Sequence, residues 1–481
     1  MSLVVKANQF FHNGQIKQAE QLYRQLLKQN PNDIDALWGL GKVALAFDSY
    51  QASYDIFGRC VELVPKIPQL WLSFAQACER LRRFEKAEKA LVHAYQLKQD
   101  YLPSLQALAV FYCQSNQLDK ANKYLDVIVH REPDNIQAFA LKVRIKSQEG
   151  LSGYAKSMLD KLTQNNLSHN EQVLLHYAFA QLYQQTGDLE QAFFHFKQAN
   201  DKQRSSTSFS VADMEDYFAS LIEIFSKELI KHVANNETIA TANLTPIFIV
   251  GQPRSGSTLL EQMLSAHSDI STAGELPFLA GDIAQGIHQI TGQEFPFGCQ
   301  KLTAEQCSSL GQHYLNNMQT LAPNAKFIID KMPANYQSIG LIKQILPQAK
   351  IIHIRRDVKD VSWSIFTNHF AANEPYFCSL DEIAQYHTIY QQVMSHWQNV
   401  LPDFVHHVNY EDLVKNPSTV LTDILAFCGL DFKSACLDFS DKERYISTLS
   451  DVQLRTGLQA NRTKAWQVYE KYLPDCFNEL T

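Results

Sequence analysis

A short glycine-containing segment near the middle of the chain has the residue types and spacing of an anion-binding loop. Four apolar residues, 247–250, precede it and predict a buried strand of a parallel sheet. The segment Gly251-x-x-x-x-Gly256-Ser257-Thr258 follows, and apolar residues at helical spacing come next. A loop between a strand and a helix directs backbone N–H groups at an anion and places that anion at the positive end of the helix dipole. The spacing predicts a phosphate site, and the alternative is a helix-initiating turn that binds nothing.

The same loop lacks the lysine with which nucleoside-triphosphate loops reach the β- and γ-phosphates. Ser257 occupies the position of that lysine, and the basic residue of the loop, Arg254, comes earlier. This pattern points away from ATP hydrolysis. A sulfuryl group carries less charge than a phosphoryl group, so backbone N–H, Lys and Arg donors can stabilise its transfer without a metal ion. We therefore expect no metal in the site.

The loop resembles the 5′-phosphosulfate loop of sulfotransferases that use 3′-phosphoadenosine 5′-phosphosulfate (PAPS). The residues that carry the likeness are Gln252-Pro-Arg-Ser-Gly-Ser-Thr-Leu-Leu260. From about Pro246 to Pro474 the chain is similar to bacterial-type sulfotransferases with N-terminal tetratricopeptide repeats, which are relatives of tyrosylprotein sulfotransferases. The resemblance implies that PAPS is the co-substrate and that its sulfuryl group passes in line to an acceptor hydroxyl. The residues that would hold the phosphosulfate are Arg254, Ser255, Gly256, Ser257 and Thr258.

Two side chains further along, with Arg254, are the candidate catalytic residues. Glu275 lies in a turn preceded by glycine, where a carboxylate can take the proton of the acceptor hydroxyl, and it matches the catalytic Glu of the tyrosylprotein branch. His267 is the alternative base, although a histidine there more typically ends a helix. Lys331 follows the strand-like run 326–330, and the carboxyl end of a parallel strand faces the ligand crevice. Its family counterpart neutralises charge on the bridging oxygen; the alternative is a surface lysine.

A second cationic site is predicted after the next strand-like run, 350–354. Arg356 and Ser364, eight residues apart, match the Arg and Ser of the family's 3′-phosphate motif. Arginine suits this role because its guanidinium can donate two parallel hydrogen bonds to one phosphate. A salt bridge is the alternative for Arg356, and Ser362 is the alternative hydroxyl on another face of the helix.

The last candidate contacts to the nucleotide come from the final fifth of the chain. Tyr410 opens a Tyr-Glu-Asp-Leu segment that resembles a family segment, where the tyrosine would reach the nucleotide while Glu411 and Asp412 hold structure. Arg462 and Lys464 stand where the family closes a basic loop over the nucleotide.

The acceptor is not determined by these motifs. Asn368 and Pro277 occupy positions where the tyrosylprotein branch carries basic residues. Protein tyrosine, a carbohydrate and a small alcohol or phenol therefore all stay open as acceptors.

The composition predicts a protein of two or three ordinary domains. The 481 residues include 43 basic and 50 acidic side chains, so no overall basic field attracts nucleic acid or an anionic membrane. No apolar run has the length of a membrane span, and the first residues are too polar for a secretory signal. We therefore expect a soluble, cytoplasmic protein. The nine cysteines are scattered without a C-x-x-C pair, which favours reduced thiols and no zinc site.

The first part of the chain repeats with the 34-residue period of tetratricopeptide repeats. Five positions of the repeat keep this phase, represented by Pro31 and Pro65, Ala19 and Ser53, Leu37 and Trp71, Gly41 and Ala75, and Tyr23 and Phe57. A further, shifted unit lies between Tyr177 and Phe196. Stacked helix pairs form an α-solenoid whose concave surface usually binds a peptide or protein. The alternatives are that the array packs on its own catalytic domain or mediates a homodimer.

These patterns predict an α-helical repeat solenoid followed by an α/β, P-loop-like sulfotransferase domain with a parallel sheet. The expected limits are 1–200 for the solenoid, 201–244 for a helical connector and linker, and 245–481 for the sulfotransferase domain. Two other functions stay open. A P-loop small-molecule kinase would need Mg²⁺ and a lysine on ATP, and a scaffold would pair a partner-binding array with a nucleotide-binding, non-catalytic domain.

Overall fold

The computed structural model describes residues 2–47, 49–146, 151–164, 167–234, 244–370, 375–438 and 464–480. The described residues form two compact units, one up to residue 157 and one from residue 158 onward. The predicted domain limits at 200 and 245 stay predictions, and the predicted linker residues 235–243 lie outside the described residues. Within the described ranges, no helix is both long and apolar enough to cross a membrane.

Consecutive helix pairs make up the first unit, and the last of its helices runs on past residue 157. They are α1 (Leu3–His12), α2 (Ile16–Gln29), α3 (Ile34–Ala46), α4 (Tyr50–Leu63), α5 (Pro68–Arg80), α6 (Phe84–Leu97), α7 (Leu102–Gln114), α8 (Leu118–Arg131), α9 (Ile136–Arg144) and α10 (Leu151–Thr163). The small residues at one repeat position, Ala19, Ser53, Ala87 and Ala121, are fully buried. The predicted helical repeats are therefore confirmed.

Two repeat positions in this unit complement one another in volume. A Cβ atom on Gly41 would lie only 2.3 Å from the ring of Phe57, so the glycine makes room for the ring. One repeat later the same two positions hold Ala75 and Leu91, both buried in one core. The repeat with the larger side chain on its second helix, Phe57, has the smaller residue, Gly41, on its first helix. The repeat with the smaller Leu91 has the larger Ala75.

In the described part of the chain, the helices that follow α10 and precede the sheet are α11 (His169–Thr186), α12 (Leu189–Ser205), α13 (Val211–Ile224) and α14 (Lys227–Ala234). The strands are β1 (Thr245–Gly251), β2 (Ile270–Gly274), β3 (Phe327–Asp330), β4 (Lys350–Arg355) and β5 (Val405–Asn409). The later helices are α15 (Ser257–Ser265), α16 (Ala284–Thr291), α17 (Ala304–Leu321), α18 (Ile339–Ile345), α19 (Val358–Phe366), α20 (Leu380–Val400), α21 (Tyr410–Lys415), α22 (Pro417–Cys428) and α23 (Asp475–Glu479). Among the described residues the strands form one sheet in the order β2-β3-β1-β4-β5.

Strand β1 lies at the centre of the sheet and is covered on both faces. Ile247 and Ile249 pack in a core with residues of α15 and α22, whereas Phe248 and Val250 pack in a second core with residues of α17, α18 and α20. All four side chains are fully buried. An unbroken apolar run is the expected pattern for a strand between two helical layers.

The parallel register brings the ends of four strands to one edge. Phe248 of β1 pairs with Asp330 of β3, and Gly274 of β2 pairs with the same aspartate. On the other side, Gly251 pairs with Ile354 of β4. The segments that follow these strands therefore leave the sheet side by side, where open parallel sheets bind their ligands.

The last repeat helices belong to the unit that contains the sheet. Asn200 accepts a hydrogen bond from the Tyr177 hydroxyl at 2.8 Å and donates one to the Phe366 carbonyl at 2.9 Å. Arg204 donates to both carboxylate oxygens of Glu382, each at 2.9 Å. These contacts join α12 to α19 and α20, the helices that pack on the sheet.

The volume match in the first unit can be tested with Gly41→Ala. The added methyl group overlaps the Phe57 ring, and overpacking of this kind costs about 1–3 kcal/mol. Urea unfolding, monitored by circular dichroism, should show a lower free energy of unfolding for the first unit. The double variant Gly41→Ala/Phe57→Leu reproduces the residue pair of the next repeat and should recover part of the loss. If the double variant were less stable than either single variant, the proposed match would be wrong.

Candidate active site

The loop between β1 and α15 has a backbone shape that only particular residues tolerate. Gly256, the residue before α15, has a φ of 103°, and Arg254 has a φ of 70°. A Cβ atom on Gly256 would also lie 2.3 Å from the Tyr410 ring. Glycine is therefore required at position 256 both by its left-handed backbone and by the ring packed against it.

The loop offers donors for an anion. The residue before α15 is Gly256, which has no side chain with which to cap the first N–H groups of the helix. Ser257 and Thr258, in its first turn, are buried, and so is the hydroxyl of Ser255. Among the described residues the Ser255 hydroxyl has no hydrogen-bond partner, which is unusual for a buried polar atom. These features fit the phosphosulfate end of PAPS.

Arg254 and Ser364, which were predicted to contact different phosphates, lie in direct contact. The Arg254 Nε donates to the Ser364 Oγ at 2.9 Å, and the arginine is only 8% exposed. The contact joins the loop after β1 to helix α19. The two predicted phosphate contacts therefore belong to one connected group of side chains.

Arg356 links this group to the end of the sheet. Its Nη1 donates to the Arg254 carbonyl and its Nη2 to Asp360 Oδ2, both at 3.4 Å, and its guanidinium carbon lies 4.6 Å from the centre of the Tyr410 ring. Asp360 Oδ1 accepts a hydrogen bond from the Lys464 backbone N–H at 2.6 Å. Burial raises the pKa of Asp360, and the nearby Arg356 opposes that rise.

Asp360 was not predicted as a site residue, although the sequence contains a signal for it. It lies four residues after Arg356 at the start of a helix, a spacing that brings opposite charges together. The ring of Tyr410, a predicted site residue, packs against Gly256 and lies against the Arg356 guanidinium. Predicted Arg462 lies outside the described residues, and Lys464 reaches the group through its backbone.

Glu275 and Lys331 form an ion pair at the ends of β2 and β3. The Lys331 Nζ contacts Glu275 Oε1 directly. The lysine side chain is 1% exposed, whereas the glutamate side chain is 44% exposed. A buried ammonium therefore meets a carboxylate that solvent can reach, and the sheet register carries both to the edge that holds the loop.

His267, the alternative base, is tied down by the backbone. Its Nδ1 accepts the Asp269 N–H at 3.1 Å, and its Nε2 lies 3.2 Å from the Asp431 carbonyl. Both ring nitrogens are thus engaged, which favours a structural role. Glu411, for which a structural role was predicted, accepts the Asp357 N–H at 2.9 Å.

A buried histidine that was not predicted contacts the loop. His387 Nδ1 lies 3.1 Å from Gln252 Oε1, and burial lowers the histidine pKa to about 4, so the ring is neutral at pH 7. His387 lies on α20, 135 positions after Gln252, and no local sequence pattern connects the two residues.

Comparison with known proteins finds matches to two kinds of family. Residues 246–434 match the sulfotransferase family, and residues 3–33, 80–145 and 174–201 match tetratricopeptide repeats. The predicted resemblance and fold class are confirmed.

The individual relatives share under a third of their aligned residues with this chain. An uncharacterized protein of Aquifex aeolicus (strain VF5) is 29% identical over 294 residues, which are 60% of this chain and 38% of that protein. Protein-tyrosine sulfotransferase 1 of Danio rerio is 25% identical over 204 residues, 40% of this chain and 55% of that protein. The match thus spans well under two thirds of each relative.

Among solved structures, the sulfotransferase domain from the olefin synthase of Synechococcus PCC 7002 is similar. It is 21% identical and covers 48% of this chain and 91% of that domain, with a TM-score of 0.34. A score this low does not bear on activity.

The steric requirement at Gly256 predicts a difference between two glycine substitutions. Gly429 also has a positive φ, of 77°, but a Cβ atom there would meet nothing within 4 Å. Gly429→Ala should therefore cost only the backbone term, about 1–2 kcal/mol. Gly256→Ala should cost about 1–3 kcal/mol more, because its methyl group overlaps the Tyr410 ring. Thermal unfolding of both variants measures the difference, and equal losses would contradict the packing described here.

Proposed function

We propose that this chain transfers the sulfuryl group of PAPS to an acceptor hydroxyl, because residues 246–434 match the sulfotransferase family. The observation that carries the proposal is the Lys331–Glu275 pair at the sheet edge that also holds the loop before α15. The pair offers a cation and a solvent-accessible carboxylate at the edge where the loop leaves the sheet. The acceptor is proposed only by class, as a protein tyrosine, a carbohydrate or a small alcohol or phenol.

Each group has a proposed task. PAPS supplies an activated sulfuryl group, whose sulfur–oxygen bond to phosphate breaks as the acceptor oxygen bonds to sulfur. The loop N–H groups, with Arg254 and the hydroxyls of Ser257 and Thr258, hold the phosphosulfate. Lys331 stabilises negative charge on the bridging oxygen, and Glu275 takes the acceptor proton.

The direct contact between Lys331 and Glu275 supports these tasks. The oxygen that leaves and the oxygen that attacks are both held by one sulfur atom, so side chains from the ends of two neighbouring strands can reach them. Arg356 and Ser364 would bind the 3′-phosphate, and Arg254 contacts both of them. Tyr410 would support this site by packing on Gly256, and Lys464 and Arg462 stay proposed contacts.

Nucleotide preference separates the two enzyme functions. Isothermal titration should show tighter binding of adenosine 3′,5′-bisphosphate than of ATP with Mg²⁺, because Ser257 replaces the lysine of ATP-binding loops. Preference for ATP would overturn the proposal. Release of the bisphosphate from PAPS, measured with water alone, 4-nitrophenol, a sugar and a tyrosine-containing peptide, separates an enzyme from a non-catalytic scaffold.

We also propose that the repeats bind a peptide or protein, with a homodimer as the alternative.

Glu275→Gln tests the proposed base. Glutamine keeps an oxygen that can contact Lys331 but cannot take a proton, so PAPS turnover should fall about 10²–10⁴-fold. Titration with adenosine 3′,5′-bisphosphate should give an affinity close to that of the wild type. Loss of nucleotide binding in this variant would contradict the assigned role.

Arg356→Ala tests the 3′-phosphate site, with Arg355→Ala as its matched control. Arg355 is the neighbouring arginine and is exposed. Removal of a charge-assisted contact costs about 1.5–3 kcal/mol, so Arg356→Ala should weaken binding of adenosine 3′,5′-bisphosphate about 10- to 100-fold. Arg355→Ala should change it little. Equal affinities for the two variants would remove Arg356 from the site.

A further inference from the structure

Asp330 is a fully buried carboxyl group directly before Lys331. Its Oδ2 accepts hydrogen bonds from the Tyr314 hydroxyl at 2.6 Å and from Asn335 Nδ2 at 3.3 Å. Its Oδ1 has no partner of ordinary hydrogen-bond length among the described residues, although the Leu276 backbone N–H also favours the charged form. Burial raises the pKa of Asp330 to about 7, against the effect of these donors and of Lys331.

The aspartate connects its own segment, which carries Lys331, to the neighbouring segment that carries Glu275. In the sheet, Gly274 pairs with Asp330, and the Lys331 N–H donates to the Gly274 carbonyl at 2.8 Å. Leu276, whose N–H interacts with the carboxyl group, follows Glu275 directly. The residues on either side of Glu275 therefore both contact this strand end: Gly274 contacts Lys331, and Leu276 contacts Asp330.

Such a group is costly if it only fills space. A buried acid with one unsatisfied oxygen destabilises a fold, and an apolar side chain of similar size would avoid the penalty. The neighbouring charge gives a reason for it. The Lys331 side chain is 1% exposed, and its other counter-charge, Glu275, becomes neutral when it takes a proton. Asp330 is a second acidic group; burial raises its pKa, and the charge of Lys331 acts to lower it.

We propose that Asp330 is a positioning residue that holds the segments carrying Lys331 and Glu275 in place relative to one another through transfer. Tyr314 and Asn335 hold the aspartate in turn. This inference rests on the proposed function, because it assigns to Asp330 an effect on the transfer step and not on nucleotide binding.

The principal test is Asp330→Asn, assayed as release of adenosine 3′,5′-bisphosphate from PAPS with water alone and with 4-nitrophenol. The amide keeps the shape but removes the charge. We expect kcat to fall about 10- to 100-fold, as for other residues that orient a reacting group. The KM for PAPS and the affinity for adenosine 3′,5′-bisphosphate should stay close to the wild-type values.

Two comparisons separate positioning from simple loss of stability. Tyr177→Phe removes another buried hydroxyl, which bonds to Asn200 in the same unit, and should lower the melting temperature without changing kcat. In a Lys331→Ala background, Asp330→Asn should have almost no further effect on kcat, because the group that it positions is gone. If Asp330→Asn does not fold, Tyr314→Phe replaces it in the same assays, with a smaller but measurable fall in kcat.

The outcomes distinguish failure of the inference about Asp330 from failure of the proposed function. If wild-type protein turns over PAPS and the variant at Asp330 or Tyr314 keeps its kcat, the inference is wrong and the proposed function stands. An equal fall with and without Lys331 also overturns the inference. If wild-type protein neither binds adenosine 3′,5′-bisphosphate nor consumes PAPS, the proposed function itself is wrong, and the role of Asp330 falls with it.

Discussion

The candidate site depends on the parallel pairing of β1 with both β3 and β4. This register carries the loop after Gly251, the Lys331 that follows β3 and the Arg356 that follows β4 to one edge of the sheet. Alternate residues of β1 are buried in different cores, so a slip of one position would exchange Ile247 and Phe248 between two helical layers that are already filled. Packing on both faces therefore determines where the polar groups meet.

The cations at this edge are already engaged by the protein. Lys331 contacts Glu275, Arg356 contacts Asp360, and Arg254 donates to Ser364. These contacts hold long side chains in place before any ligand arrives, which reduces the entropy that binding must remove. An anion bound at the proposed site would have to share or replace those partners. The chain as a whole has a formal charge of -7, so anion binding there would depend on this local arrangement.

Local patterns in the sequence were sufficient for the elements but not for all of the site. The apolar run before Gly251 and the 34-residue period predicted the central strand and the repeat helices, because both follow from periodic burial. The contact of Arg254 with Ser364 and that of Gln252 with His387 join positions more than 100 residues apart, and no spacing rule reaches so far. The sequence shows Asp330 beside Lys331, but only the sheet shows that its carboxyl group is buried.

The helices before the sheet share its largest core. Tyr177 and Phe196 lie in the same apolar cluster as Phe248, and Tyr469 and Phe477 join it from the far end of the chain. The stretch that matches the sulfotransferase family contains neither flank. Exchange of the repeat array for a different one, as in a chimeric protein, would therefore have to be made upstream of His169, because a junction at Thr245 would remove the neighbours of apolar side chains.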